Sequence, residues 1–360
     1  MDRRAFLGSA AALSLPGCAT TALSPVARAH CLAPVIVGPD RVIRAVAGLR
    51  PYRAAGFVVR QEGLAGKRLV HNYGHGGAGI TLSWGTARLA VDLGRIGHSG
   101  PVAVIGAGIA GLTTARLAQE AGFDVTVYAE ALPPHTTSNV AGGQWQPLAH
   151  YREAEVSAEW RAQYAAALDY SWRRFQILVG DDYGVRWVPT YMESQRDPAA
   201  IHDRYRIGIR DLGPGEHPFP ADRVIRFDTM YVETGRFLRQ LLRDVQIARG
   251  RIAVRRFETP ADISGLSENL VFNCTGLGAR ALFGDEGLEP VRGQLAILRP
   301  QPEVDYAFAG PAGYMFPRPD GIVIGGTFER GEWDATPQPE AIARIVASHR
   351  RLFGAMRCTA

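Results

Sequence analysis

A glycine turn set between two β-rich runs constrains this chain more than any other feature. Pro101 to Ile105 is a short apolar run, followed by Gly106-Ala107-Gly108-Ile109-Ala110-Gly111 and then by a helical spacing of Leu112, Ala115, Ala118 and Ala121. Phe123 to Tyr128 is a second β-rich run, and it ends on Ala129-Glu130. Strand, glycine turn, helix, strand and acid together make a βαβ unit, which places the chain among α/β folds. The glycines have separable tasks: Gly106 permits the tight turn, Gly108 lets backbone approach a pyrophosphate, and Gly111 allows close helix packing. Ile109 and Ala110 open the helix, whose free N–H groups and dipole favour that anion. Glu130 stands where a carboxylate would take the adenosine ribose hydroxyls. The unit alone does not separate NAD from FAD.

At 360 residues and 46% hydrophobic, the chain can bury one large core or two intertwined ones. Its net charge of +5 does not point to nucleic acid, because the positive residues are dispersed and nearly all are Arg, with Lys67 the single lysine. No stretch after the first twenty residues is apolar enough to span a membrane. Arg3-Arg4-Ala5-Phe6-Leu7 and the apolar run to Leu15 resemble a twin-arginine export signal. Two processing sites compete: Leu15-Pro16-Gly17-Cys18, a lipoprotein-like box that would put a lipid anchor on Cys18, and Ala27-Arg28-Ala29. Residues 1–30 are therefore set apart as signal and linker, with a periplasmic or membrane-anchored protein as the expectation. Further strands are expected at 251–255, 269–273, 293–298, 314–316 and 322–325, and helices over 156–178 and 339–353. No metal site is expected.

Three further segments carry a family resemblance. His71-Asn72-Tyr73-Gly74-His75-Gly76-Gly77-Ala78-Gly79-Ile80-Thr81-Leu82-Ser83-Trp84-Gly85 resembles the glycine signature near the C-terminus of D-amino-acid oxidases. Gly48-Leu49-Arg50-Pro51-Tyr52-Arg53 is similar to that family's arginine motif, and Thr136-Thr137-Ser138-Asn139-Val140-Ala141-Gly142-Gly143-Gln144-Trp145-Gln146-Pro147 to its stretch beside the flavin ring. Asn273-Cys274-Thr275-Gly276, Arg292-Gly293-Gln294 and Gly325-Gly326-Thr327 match other landmarks. The resemblance covers roughly residues 35 to 355. It implies FAD as cofactor and a Rossmann-like FAD-binding domain (51–148 and 246–288) beside a mixed-sheet substrate domain (34–50, 149–245 and 289–355).

For the site, the resemblance implies that Arg50 holds a substrate carboxylate with its planar fork. Tyr314 would add its hydroxyl to that carboxylate, and the Gly77 carbonyl would accept from the substrate amine. Gln146 would lie beside the site or support it from behind. Thr136, Thr137, Gly142, Gly143, Gly76, Gly77, Ala78, Gly79 and Thr81 would contact the flavin. The implied reaction converts a D-amino acid and dioxygen to a 2-oxo acid, ammonia and hydrogen peroxide; the alternatives are an exported flavin-dependent dehydrogenase that passes electrons to a non-oxygen acceptor and a flavin-binding protein without catalysis. No side chain in these motifs must act as a base, and His71 and His75 read as structural. D-aspartate oxidases of the family carry arginines where this chain has Phe328 and Ala307, which favours neutral substrates, although Arg330 is close enough in sequence to serve an acidic one.

The order of segments departs from the family. The arginine and glycine motifs come first here, which reads as a circular permutation joined through Gly94-Arg95-Ile96-Gly97-His98-Ser99-Gly100. Of the four cysteines, Cys274 reads as an inert core thiol. Cys31 and Cys358 stand at the two ends that an unpermuted relative would join. A disulfide there and two free thiols both remain open.

Overall fold

The computed structural model describes residues 31–193 and 200–358; the expected export signal, Cys18 and the Ala27–Ala29 site lie outside them. The chain enters through a long strand, β1 (Val42–Arg53), and a hairpin, β2 (Val58–Leu64) and β3 (Lys67–Tyr73). The hairpin turns on Ala65 and Gly66, with φ of 47° and 82°, as a two-residue type I′ loop demands. Helix α1 (Gly79–Arg95) follows the glycine signature. The βαβ unit is present as β4 (Val102–Ile105), α2 (Ile109–Glu120) and β5 (Val125–Ala129).

After a short turn of helix, α3 (Thr137–Val140), come α4 (Ala158–Gln176), β6 (Val185–Glu193), β7 (Ile207–Leu212), β8 (Val224–Val232) and α5 (Thr234–Ile247). The chain then runs through β9 (Arg251–Val254), α6 (Pro260–Ser264), β10 (Leu270–Asn273) and α7 (Gly278–Phe283). Last are β11 (Leu288–Leu298), β12 (Ala307–Gly310), β13 (Gly313–Arg318), β14 (Gly321–Gly325), the short β15 (Glu329–Arg330) and α8 (Pro339–Gly354).

The strands form two sheets. A six-stranded sheet has the order β2-β3-β10-β4-β5-β9, parallel except for β2. A nine-stranded mixed sheet runs β1-β11-β14-β13-β12-β6-β8-β7, with β15 beside β11. One face of the six-stranded sheet (Val70, Val102, Val104, Phe272) packs under α1, α2, α4 and α5; Leu69, Ala103 and Val271 on the other face meet Phe257, Ile263 and Leu282. Helix α8 puts Ile345, Leu352 and Phe353 onto Phe308, Met315 and Ile324 of the nine-stranded sheet.

Residues 149–245, expected wholly on the substrate side, divide in the fold. β6, β7 and β8 join the large sheet, whereas α4 and α5 close the core of the small one. Both helices turn apolar faces (Trp160, Tyr164, Leu168; Phe237, Leu241, Val245) that can be buried only against α1 and α2. Two further contacts bind distant parts of the chain. Lys67, buried beside the hairpin turn, donates from Nζ to the carbonyls of Leu266 (2.6 Å) and Glu268 (3.0 Å). Cys31 and Cys358 are joined by a disulfide, with Cα atoms 5.1 Å apart.

Candidate active site and cofactor cleft

A cavity of about 660 Å³ runs from the end of the small sheet to the inner face of the large one. Its nucleotide end is built by the turn between β4 and α2. At Gly106 φ is +114°, and a Cβ there would sit 2.4 Å from the Cys274 carbonyl oxygen, so only glycine fits. Gly106, Gly108, Ile109, Ala110 and Glu130 all line the cavity. Gly111 does not: its missing Cβ would fall 1.9 Å from the Gly106 carbonyl oxygen, so it shapes the turn from behind.

Thr136, Thr137, Gly142 and Gly143 form one wall, and Gly76, Gly77 and Gly79 another. Ala78 is fully buried in the short helical turn before α1 and lines nothing. Thr81 is likewise turned away, its hydroxyl accepting from the Gln146 backbone N–H at 3.0 Å. These corrections share a cause: in a helical turn neighbouring residues point different ways, so a contiguous motif cannot face one ligand throughout.

Gln146 is held by that bond, while both atoms of its side-chain amide are buried without a partner. A donor and an acceptor left open together in a cavity wall call for a ligand that offers the complementary pair. The edge of a flavin ring does so, and the glycine walls leave room for flat contact. The residues present therefore fit FAD.

At the inner end, Arg50 projects from β1 across β11. A Cβ on Gly293 would lie 2.3 Å from its Nη2, so the guanidinium rests directly on a glycine backbone. Its Nη1 donates to the Thr327 carbonyl at 3.3 Å, and no carboxylate pairs with it among the described residues. Tyr314 stacks on Phe316 with centroids 4.6 Å apart. Burial pushes its phenol up, and Arg50 beside it pulls the other way. Phe328 is half exposed at the mouth, 6.0 Å from the guanidinium carbon to the ring centre. The loop carrying it is pinned: Thr327 Oγ1 accepts from the Gln294 backbone N–H at 3.0 Å, and Glu329 pairs with buried Arg292.

Two residues invoked for substrate choice stand elsewhere. Ala307 is fully buried opposite Thr190 in the β12–β6 pair and does not line the cavity. Arg330 pairs with Glu289 and lies over the Tyr52 ring at 5.1 Å. His75 is fully buried, bonded through Nε2 to Thr86 Oγ1 at 2.9 Å, and burial pushes its pKa down to about 4. Cys274 borders the cavity with its thiol pushed up to about 12 by burial, too high to react.

Sequence reasoning missed Ser138, whose Oγ accepts from the Ile109 backbone N–H at 3.0 Å, and gave no role to Gly293 or to Thr275–Gly278 in the nucleotide wall. Their signal was present in the quoted landmarks, but a landmark names no partner. A larger groove of about 980 Å³ between β1 and α8 contains none of the site residues.

The family model described as DAO, FAD dependent oxidoreductase, matches residues 14–93 and 101–359. A D-amino-acid oxidase of Rubrobacter xylanophilus is 34% identical over 70% of this chain and 78% of its own length. One of Streptomyces coelicolor is 31% identical over 69% and 76%, and the human D-aspartate oxidase 27% identical over 71% and 77%. Among solved structures, glycine oxidase from Bacillus cereus superposes with a TM-score of 0.54 at 17% identity, covering 71% of this chain and 79% of that one.

Proposed function

The chain belongs to the DAO family of FAD-dependent oxidoreductases, and from that premise we propose that it oxidises small neutral D-amino acids with dioxygen. The observation that carries the reading is Arg50, a guanidinium inside the cavity that no carboxylate among the described residues neutralises. An α-carboxylate supplies that charge and takes two parallel hydrogen bonds from the fork. Tyr314 flanks the same position, and Gly77 lies across the cavity, where its carbonyl would receive the amine. Bound FAD supplies the two-electron acceptor for the Cα–H bond. Arg50 and Tyr314 fix the carboxylate, and the aromatic wall of Tyr314, Phe316 and Phe328 limits water at the reacting carbon. Two electrons and a proton leave the α-carbon as hydride and the amine gives up a second proton; dioxygen takes up the two electrons and both protons to give hydrogen peroxide, and water hydrolyses the imino acid to a 2-oxo acid and ammonia.

Preference for a neutral side chain follows from the mouth. Phe328 occupies it, and Arg330 is already committed to Glu289. A substrate carboxylate buried there would lack a partner, which is costly. The test is anaerobic bleaching of the holoenzyme with a panel of D- and L-amino acids, followed by peroxide yield on admitting oxygen. D-alanine-like substrates should bleach fastest. Bleaching by the L-series only, or a kcat/KM preference for D-aspartate, would overturn the reading.

A further inference from the structure

His71, on β3, is fully buried, with Tyr73 and Phe283 in edge-on contact. Its two ring nitrogens face different partners. Nδ1 lies 2.9 Å from Asn273 Nδ2, and Nε2 lies 3.0 Å from Glu62 Oε1. The far side of Asn273 settles the roles. Its Oδ1 accepts from the Thr275 backbone N–H at 3.2 Å and from the Thr275 hydroxyl at 2.7 Å. The amide nitrogen is therefore the group turned to His71, and His71 Nδ1 must accept. The ring's single proton then belongs on Nε2, toward the Glu62 carboxylate. Thr275, Gly276, Leu277 and Gly278 line the nucleotide end of the cofactor cleft. A continuous set of contacts thus runs from half-exposed Glu62 through His71 and Asn273 to the wall that would hold FAD.

We propose that Glu62, His71 and Asn273 form a positioning relay that holds the Thr275–Gly278 wall in its FAD-binding shape, and that protonation of His71 releases it. A proton on Nδ1 sets one donor against another. Asn273 cannot answer by turning its amide without cost: the Thr275 hydroxyl could reverse its role, but the Thr275 backbone N–H would face the amide NH2 and lose its acceptor. The charged and titratable groups around the ring are Glu62 and Arg60 on β2, Tyr73 on β3 itself, and Asp285 beyond α7; Asn273 and Phe283 complete the enclosure. Burial lowers the His71 pKa and Arg60 adds to this, while Glu62 and Asp285 oppose it. His71 is thus neutral at ordinary pH, and release falls on the acid side of the usual histidine range. The inference rests on FAD binding and not on the choice of substrate.

The test is the Kd of FAD for the apoprotein, read by flavin fluorescence between about pH 8 and about pH 5, where histidine charge changes fall. His71→Asn keeps an oxygen at the accepting position and cannot titrate; His71→Leu removes the acceptor. The wild type should lose roughly tenfold or more in affinity toward acid, a 1.4 kcal/mol change. H71N should show a flat profile near the wild-type value at pH 8, and H71L weak binding throughout. The FAD pyrophosphate, a diester, keeps its charge across this range and is common to all three. Parallel pH profiles for wild type and H71N would overturn the proposal, as would wild-type affinity in H71L at pH 8. Should H71L fail to fold by circular dichroism, the wild type and H71N decide the matter alone.

Discussion

Arg50 owes its position to pairing more than to its neighbours in sequence. β1 lies antiparallel to β11, with Gly48 opposite Gly293 and Arg50 opposite Val291, and the absent side chain of Gly293 leaves the space that the guanidinium fills. Arg50→Leu should therefore raise the KM for D-amino acids far more than the Kd for FAD. Losing a charge-assisted pair of this kind costs about 2–5 kcal/mol, and steady-state kinetics beside a flavin titration would measure the split. Unchanged kinetics would remove Arg50 from the site. At this scale the sequence was legible where a residue type matches a chemistry, as with Arg50 and the glycines of the β4–α2 turn. It was not legible where a hydroxyl serves the protein instead: Thr81 caps the Gln146 backbone, and nothing in its neighbours signals the direction of its side chain.

Helices announced themselves through their apolar period, and α2, α4 and α8 fall close to the expected ranges. Several strands did not. β8 (Val224–Val232) alternates only over Ile225–Thr229 and is then buried on both faces to Val232, while the β2–β3 hairpin turns on Ala-Gly where Asn-Gly would have signalled it. The hairpin matters to the site, because β3 carries His71 to Asn273. Helices α1 and α4 approach closely at Gly85. A Cβ on Gly85 would fall 1.9 Å from the Ala167 carbonyl oxygen, with no flexible side chain to yield. Gly85→Ala should force the helices apart and destabilise the protein by about 3 kcal/mol, the upper part of the usual overpacking range. Urea unfolding would register it, and an unchanged midpoint would show that the crossing tolerates a methyl group.

The molecule as a whole closes on itself. The disulfide ties residues 327 positions apart, and in the chain-entropy model closing so long a loop stabilises by up to roughly 5 kcal/mol. We read the order of segments as a circular permutation, supported by motifs that resemble a family C-terminus yet precede β4, and by ends brought together at Cys31 and Cys358. A gene re-ordered to begin at residue 101, pass through 358 into 31, and end at 95 should then give a folded protein that binds FAD. A product that neither folds nor binds FAD would count against the permutation. Lys67 has a consequence of another kind. The only side-chain amine in the sequence is buried, spent on two carbonyls between the hairpin turn and the segment after α6. An acylating reagent meets no lysine on the folded surface, so its uptake at residue 67, followed by mass spectrometry, becomes a clock for the opening of that seam. Labelling as fast in native protein as in urea would mean the seam stands open already.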